Sequence, residues 1–110
     1  MGNSVTALIC AYGNIAFGAI KELKKAGLRV PDDVSVIGMD NINTGKYADT
    51  SLTTIDSNPE QVCTAAWNFL NEKIKNPYLS GKKEIINAKL IIRESISRCN
   101  TTNTGDGTVC

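Results

Sequence analysis

Side chains that commonly carry out catalysis are scarce in this chain of 110 residues, which contains no histidine. Without histidine, a Ser-His-Asp or Cys-His system cannot form, and imidazole ligands for a metal ion are missing. The carboxylates form no pair whose spacing indicates acid–base catalysis, and Asp32-Asp33 after Pro31 is typical of a solvated turn. We therefore predict that the chain is not an enzyme and holds no metal or cofactor.

The four cysteines also lack the pattern of a functional site, because no two of them have the spacing of a zinc ribbon or a redox pair. Cys10 lies in an apolar run and Cys63 on the apolar side of a predicted helix, so we expect both to pack in the core as small hydrophobic residues. Cys99 and Cys110 lie in or beside a polar tail, where they could oxidise adventitiously.

Glycine-rich nucleotide-binding motifs are incomplete as well. Gly45-Lys46 resembles the end of a phosphate loop, but Tyr47 replaces the Ser or Thr that would hold magnesium. The G-x-G start of a dinucleotide fingerprint is missing around Gly13. We reject both interpretations.

Charge and hydropathy narrow the possible partners. The 12 basic and 11 acidic side chains leave a formal charge of +1, whereas contact with nucleic acid usually needs a basic excess on one face. No apolar run reaches the roughly 20 residues that cross a bilayer. The first residues do not resemble a secretory signal. These features predict a cytoplasmic protein that does not contact a membrane, and a stretch that does not itself bind DNA.

The first half of the chain has the pattern of a βαβ unit. Residues 5–10 and 34–39 are short apolar runs typical of buried parallel strands. Between them, apolar residues recur at helical spacing, with Asn14 as the predicted cap and Gly27 as the predicted end of the helix. Two strands joined by a helix in this way are expected to be parallel.

The second half predicts strand, helix and strand. Residues 52–55 are extended, Asn58 and Pro59 are a strong helix start, and alternation predicts a strand over residues 86–92. The full order is β-α-β-β-α-β, which indicates an α/β fold. The predicted helix carries one apolar stripe: Val62, Ala66, Phe69, Leu70 and Ile74.

Several short motifs of the sequence resemble motifs of the LacI/GalR family of transcriptional regulators. They occur in the same order as in the family and with roughly the same spacing. The longest is the string G-L-R-V-P-D-D-V-S-V-I-G-M-D from Gly27 to Asp40. The others are Leu8-Ile9-Cys10-Ala11, Leu52-Thr53-Thr54-Ile55 and Leu90-Ile91-Ile92-Arg93-Glu94-Ser95. The resemblance runs from about Val5 to Ser97.

The resemblance implies a periplasmic-binding-protein-like fold, in which two α/β subdomains enclose a cleft for a sugar or another small effector. Residues 1–97 would be the C-terminal portion of this effector-binding domain, and residues 98–110 a disordered polar tail. Family members act as homodimers and contact DNA through an N-terminal domain that this chain lacks. A sugar-uptake binding protein and a sensor module of a larger signalling protein remain alternatives.

The resemblance also selects three candidate ligand-binding residues. Asp40 matches a family aspartate that hydrogen-bonds sugar hydroxyls, although a turn-capping aspartate would fit the same position. Where the family usually has Asn-Asp after the first strand, this chain has Tyr12-Gly13. Tyr12 would either stack on a sugar face or simply cover the strand end. Asn41 is a weaker candidate beside Asp40, and Arg93 is expected to form a structural ion pair.

The helix over residues 58–75 belongs, by the same resemblance, to the subdomain that this chain mostly lacks. Its apolar stripe therefore needs another partner. We expect the helix either to fold back on the βαβ unit or to pair with a second chain.

Overall fold

The computed structural model describes residues 5–43 and 48–99, and its elements follow the predicted order. They are β1 (Ala7–Ile9), α1 (Gly13–Lys25), β2 (Ser35–Met39), β3 (Thr53–Asp56), α2 (Pro59–Lys75) and β4 (Lys89–Ile91). The rejected phosphate-loop residues Gly45 to Tyr47 lie outside the described residues, as does the predicted tail after Cys99, including Cys110.

The strands form one mixed sheet in the order β1-β2-β3-β4. β1 pairs in parallel with β2, and β2 in parallel with β3, which confirms the predicted βαβ unit. β4 pairs with β3 in the antiparallel direction, with Lys89 opposite Asp56 and Ile91 opposite Thr54. The carboxyl ends of β1, β2 and β3 therefore meet at one edge of the sheet.

Helix α1 covers one face of this sheet and forms the core with it. Gly38 lets the helix approach closely, because a Cβ there would lie 2.8 Å from Leu52 Cδ2 and 3.3 Å from Ala16 Cβ. Cys10 is buried as predicted, and burial raises the pKa of its thiol. The buried apolar residues are Cys10, Ala16, Ile20, Val34, Val36 and Leu52.

The opposite face of the sheet is not covered by a helix. Ile9 is 73% exposed and Leu90 is 56% exposed, while Ile37 and Ile55 are half-buried. The prediction that the first strand is buried is therefore wrong for this face. Parallel sheets normally have both faces covered, so this face is an apolar surface without a partner in the described chain.

The turn between α1 and β2 is held by an ion pair. Gly27, with a φ of 79°, ends the helix as predicted. Asp33 accepts hydrogen bonds from Arg29 Nη2 at 2.9 Å and from the Arg29 backbone N–H at 2.7 Å. The Arg29 side chain is the main cause of the lowered pKa of the Asp33 carboxyl. Asp32 is exposed, in agreement with a solvated turn, but Asp33 fixes the local conformation.

Helix α2 starts as predicted but projects away from the core. The Asn58 side chain caps it by accepting from the Gln61 N–H at 3.3 Å, and Pro59 is its first residue. None of its residues is buried, so it does not fold back on the βαβ unit, and that alternative was wrong. Cys63 is exposed rather than packed in the core, for the same reason. Neither described helix is long and apolar enough to cross a membrane.

Candidate effector-binding edge

The candidate site lies at the edge where the parallel strands end. Tyr12 follows β1 and Asp40 follows β2, each three residues beyond the paired residues Ile9 and Ile37. Because the two strands are parallel neighbours, both residues follow strand ends at the same edge of the sheet. Ligands of open α/β folds commonly bind at this edge.

Asp40 presents an exposed carboxylate from an unusual backbone conformation. Its φ is 72°, in the left-handed region that non-glycine residues rarely adopt. Oδ1 accepts a long hydrogen bond from Ser57 Oγ at 3.3 Å.

Tyr12 stands directly before α1 and is 61% exposed. It occupies the cap position in an extended conformation without a side-chain hydrogen bond to the helix. The prediction that Asn14 caps α1 was wrong, because the helix already begins at Gly13. Within the described residues no side chain caps the first N–H groups of α1, which lie at the same edge as Asp40.

Gly13 explains part of the departure from the family's Asn-Asp pair. A Cβ at this position would lie 2.7 Å from Ile42 Cδ1, closer than two carbon atoms can approach. Ile42 therefore packs where a side chain of the usual pair would begin. The ring of Tyr12, rather than a polar side chain at position 13, is left to provide contact at this strand end.

Asn41 lies beside Asp40, but its side chain is occupied. Its Oδ1 accepts from Arg93 Nη2 at 2.8 Å, and its Nδ2 donates to Asp56 Oδ2 at 3.0 Å. The pKa of Asp56 is lowered, first by the backbone N–H of Asn58 and then by this amide. A ligand could reach Asn41 only through hydrogen-bonding capacity left over from these contacts.

Arg93 does not form the predicted ion pair in the described part of the chain. Its guanidinium donates instead to the Leu52 carbonyl at 2.8 Å and to Asn41. Its described partners are thus a carbonyl and an amide oxygen instead of a carboxylate.

A set of buried hydroxyls between β2, β3 and the segment after β4 was missed by the sequence analysis. Ser95 is fully buried, accepts from the Thr53 N–H at 2.8 Å and donates to the Val36 carbonyl at 2.6 Å. The Thr54 hydroxyl accepts from the Asn41 N–H at 3.1 Å. These residues belong to the sequence motifs Leu-Thr-Thr and Arg-Glu-Ser. The spacing of the two motifs in the sequence did not show that they contact each other in the fold.

The candidate residues do not line any of the three described cavities. A cavity of about 500 Å³ lies at the other end of the strands, next to Thr6, Ser35 and Arg98, and Tyr12, Asp40 and Asn41 do not line it. Within residues 5–43 and 48–99, no group of three or more Cys, Asp or Glu side chains could hold a metal ion. The described part of this edge thus carries an exposed aromatic ring and an exposed carboxylate.

Comparison with known proteins shows the family of the chain. Residues 3–96 match the model of the periplasmic binding protein-like domain. The chain is 33% identical over 99 residues to the probable HTH-type transcriptional repressor ExuR of Bacillus subtilis, covering 90% of this chain and 30% of that protein. It thus spans less than a third of the length of that relative.

Two solved structures have a similar fold. A LacI-type transcription regulator from Bifidobacterium animalis superposes with a TM-score of 0.77 and 37% identity, covering 84% of this chain and 33% of that one. A LacI family transcriptional regulator from Enterococcus faecium, with bound ribose, also has a TM-score of 0.77, with 26% identity over 86% of this chain and 35% of that one.

Proposed function

Because the chain belongs to the periplasmic binding protein-like domain family, we propose that it is the effector-sensing part of a LacI-type transcriptional regulator, with a sugar or a similar small molecule as effector. Contact with DNA belongs, in this proposal, to another domain of the regulator. The relatives are named as transcriptional repressors or regulators, which favours sensing over catalysis and over sugar uptake. The proposed location is the cytoplasm, where a regulator meets DNA.

The observation that carries this proposal is that two exposed side chains, Tyr12 and Asp40, follow the neighbouring parallel strands β1 and β2 at one edge of the sheet. A sugar offers hydroxyl donors and an apolar C–H face. The exposed carboxylate of Asp40 can accept from two neighbouring hydroxyls, and the ring of Tyr12 can pack against the C–H face. This pair therefore supports recognition of a polyhydroxylated ring.

The start of α1 adds the complementary donors. Its first N–H groups have no intrahelical partner and no side-chain cap. These N–H groups can donate hydrogen bonds to the hydroxyl oxygens of a sugar, whereas the Asp40 carboxylate can only accept them. Asn41 is the third candidate contact, and we place it behind the other two because Arg93 and Asp56 engage its amide.

The proposal is tested by titrating the 15N-labelled chain with ribose and a panel of other monosaccharides, followed by NMR. One side of a cleft makes only part of the contacts, so we expect weak binding, with a Kd of about 1 mM or above. The amide signals of Tyr12, Gly13 and Asp40 should shift with at least one sugar. Asp40→Ala should abolish the shifts.

Asp32→Ala is the matched control, since Asp32 is an exposed aspartate that precedes β2 at the opposite end of the strand. It should leave the titration unchanged. The effector proposal fails if no sugar of the panel shifts these signals, or if both aspartate variants reduce the shifts equally.

We also infer that the regulator is a homodimer, in keeping with the apolar stripe of α2 and the open sheet face. Both surfaces expose large apolar side chains, such as Ile9, Leu70 and Ile74, that favour burial. A second copy of the chain is the partner we propose for the α2 stripe.

A further inference from the structure

Two consecutive residues of the candidate edge have left-handed backbones. Asp40 has a φ of 72° and Asn41 a φ of 41°. Residues other than glycine adopt this region at a cost in free energy, and they keep it when surrounding contacts impose it. The exposed position of the Asp40 carboxylate therefore depends on whatever holds these two residues.

Strand β3 holds the backbone of both residues. The Asp40 N–H donates to the Ile55 carbonyl at 2.9 Å. The Asn41 N–H donates to Thr54 Oγ1, a buried hydroxyl, at 3.1 Å. These two bonds fix where the turn leaves the sheet, but they leave the Asn41 side chain free to rotate.

Arg93 and Asp56 fix that side chain. Arg93 Nη2 donates to Asn41 Oδ1 at 2.8 Å, while Nη1 donates to the Leu52 carbonyl at 2.8 Å. Asn41 Nδ2 donates to Asp56 Oδ2 at 3.0 Å. The guanidinium thus connects the start of β3 to the residue after Asp40, and it is half-buried where it does so.

We propose that Arg93 is a positioning residue for the effector site, which acts through Asn41 to hold Asp40 in its left-handed conformation. Arg93 does not touch the proposed ligand itself. The inference rests on the proposed function only in naming Asp40 as an effector contact. The effect of Arg93 on the backbone conformation of Asp40 does not depend on the proposed function. If Arg93 merely joins β4 to β3, its loss will lower stability and leave the turn unchanged.

The test is the backbone conformation of Asp40, measured by NMR on the 110-residue chain without ligand. A left-handed φ brings the amide proton close to the Hα of the same residue, which gives a strong intraresidue NOE. We expect strong NOEs at Asp40 and Asn41, and a several-fold loss at both in Arg93→Ala. Asn58, with a φ of 54°, is the internal control and should keep its NOE.

Two further variants sharpen the result. Arg93→Lys keeps the charge but cannot donate to two separate acceptors with a planar fork, so the NOEs should fall partway. Arg98→Ala removes an exposed arginine outside this network and should change nothing. The proposal is overturned if Arg93→Ala lowers the unfolding midpoint while both NOEs stay at their wild-type strength.

Should Arg93→Ala fail to fold, Asn41→Gly tests the link from the other side, because it keeps the bond from Arg93 to Leu52 and removes the Asn41 side chain, with its bonds to Arg93 and Asp56. Loss of the Asp40 NOE would support the proposal, and a wild-type NOE would refute it. A sugar titration of Arg93→Ala completes the experiment. If the NOEs respond to Arg93 but no sugar shifts wild-type Asp40, positioning stands and the proposed effector class fails.

Discussion

Gly38 is the residue whose side-chain size limits the packing of α1 on the sheet. Replacing it by Ala would place the new Cβ 2.8 Å from Leu52 Cδ2 and 3.3 Å from Ala16 Cβ. Because these neighbours are buried, they cannot move without disturbing the core. We expect Gly38→Ala to lower the free energy of unfolding by about 1–3 kcal/mol, measured by urea denaturation.

Gly18→Ala is the control for this prediction. Gly18 lies inside α1, and no atom lies within 4 Å of its added Cβ. The substitution should raise the free energy of unfolding by roughly 0.5–1 kcal/mol through helix propensity. If Gly38→Ala is as stable as Gly18→Ala, α1 does not pack as closely as described.

At the residue scale, the sequence predicted which residues form the candidate site but not the hydrogen bonds that hold them in place. Asp40 and Tyr12 could be placed because each follows a recognisable strand and strand ends share an edge. The contact of Arg93 with Asn41 spans 52 residues, and that of Thr53 with Ser95 spans 42. Local patterns contain no information about such long-range hydrogen bonds.

The cap of α1 shows a second limit. Asn14 has the residue type of a cap, but Gly13 already belongs to the helix, and the cap position falls on Tyr12, which makes no side-chain cap. Preferences of residue type alone could not have placed that boundary.

At the scale of elements, α2 depends on its own local contacts more than α1 does. None of its 17 residues is buried, and isolated helices of roughly this length are only marginally stable in water. The contacts at the start of α2 should therefore contribute strongly to the stability of the helix. Asn58 caps the first turn with a φ of 54°, and its N–H is held by Asp56 Oδ1 at 2.8 Å.

We predict that Asn58→Ala unwinds the first turn of α2. The change removes the cap, at about 1 kcal/mol, and puts a Cβ-bearing residue without a polar side chain in a left-handed conformation, at about 1 kcal/mol more. Amide hydrogen exchange at residues 62–65 should speed up. Asn58→Gly keeps the backbone conformation and should cost only a few tenths of a kcal/mol.

Equal exchange rates in the two variants would contradict this account, because they would show that the side-chain cap alone matters and the backbone conformation does not. Rates equal to those of the wild type in Asn58→Ala would show that α2 is held by contacts other than its cap.

The strands illustrate why elements were easier to predict than their limits. Alternation predicted a strand over residues 86–92, but β4 covers only Lys89–Ile91. Lys89 pairs with Asp56, the last residue of β3, after which the chain turns into α2. Residues before Lys89 therefore have no strand to pair with, and a pattern within one segment cannot show where its partner ends.

At the scale of the whole molecule, the described chain has one helix layer on one face of the sheet, and a second helix that projects. Its radius of gyration is 19.2 Å, whereas a compact domain of this length would have about 13 Å. The sequence predicted the α/β class and the element order, but not which faces stay uncovered. That depends on which surfaces meet, and the described side-chain contacts of α2 are with the loop that follows it, through Leu79 and Lys82.

This arrangement predicts self-association through the α2 stripe. Val62, Leu70 and Ile74 are 44%, 51% and 67% exposed, and their spacing puts them on one side of the helix. Burying such side chains in a dimer removes apolar surface from water. Sedimentation velocity should show a monomer–dimer equilibrium that shifts towards dimer with concentration, accompanied by a blue shift of Trp67 fluorescence.

Leu70→Lys should move this equilibrium to monomer, because it places a charge in the proposed interface. Asn68→Lys is the matched control, since it adds the same charge to α2 at an exposed polar position outside the stripe, and it should associate as the wild type does. A wild-type chain that stays monomeric at all concentrations, with Trp67 emission typical of water, would exclude pairing through α2. If Leu70→Lys associates normally, the open sheet face around Ile9 and Leu90 becomes the surface through which two copies meet, because it is the other large apolar area that the described chain exposes.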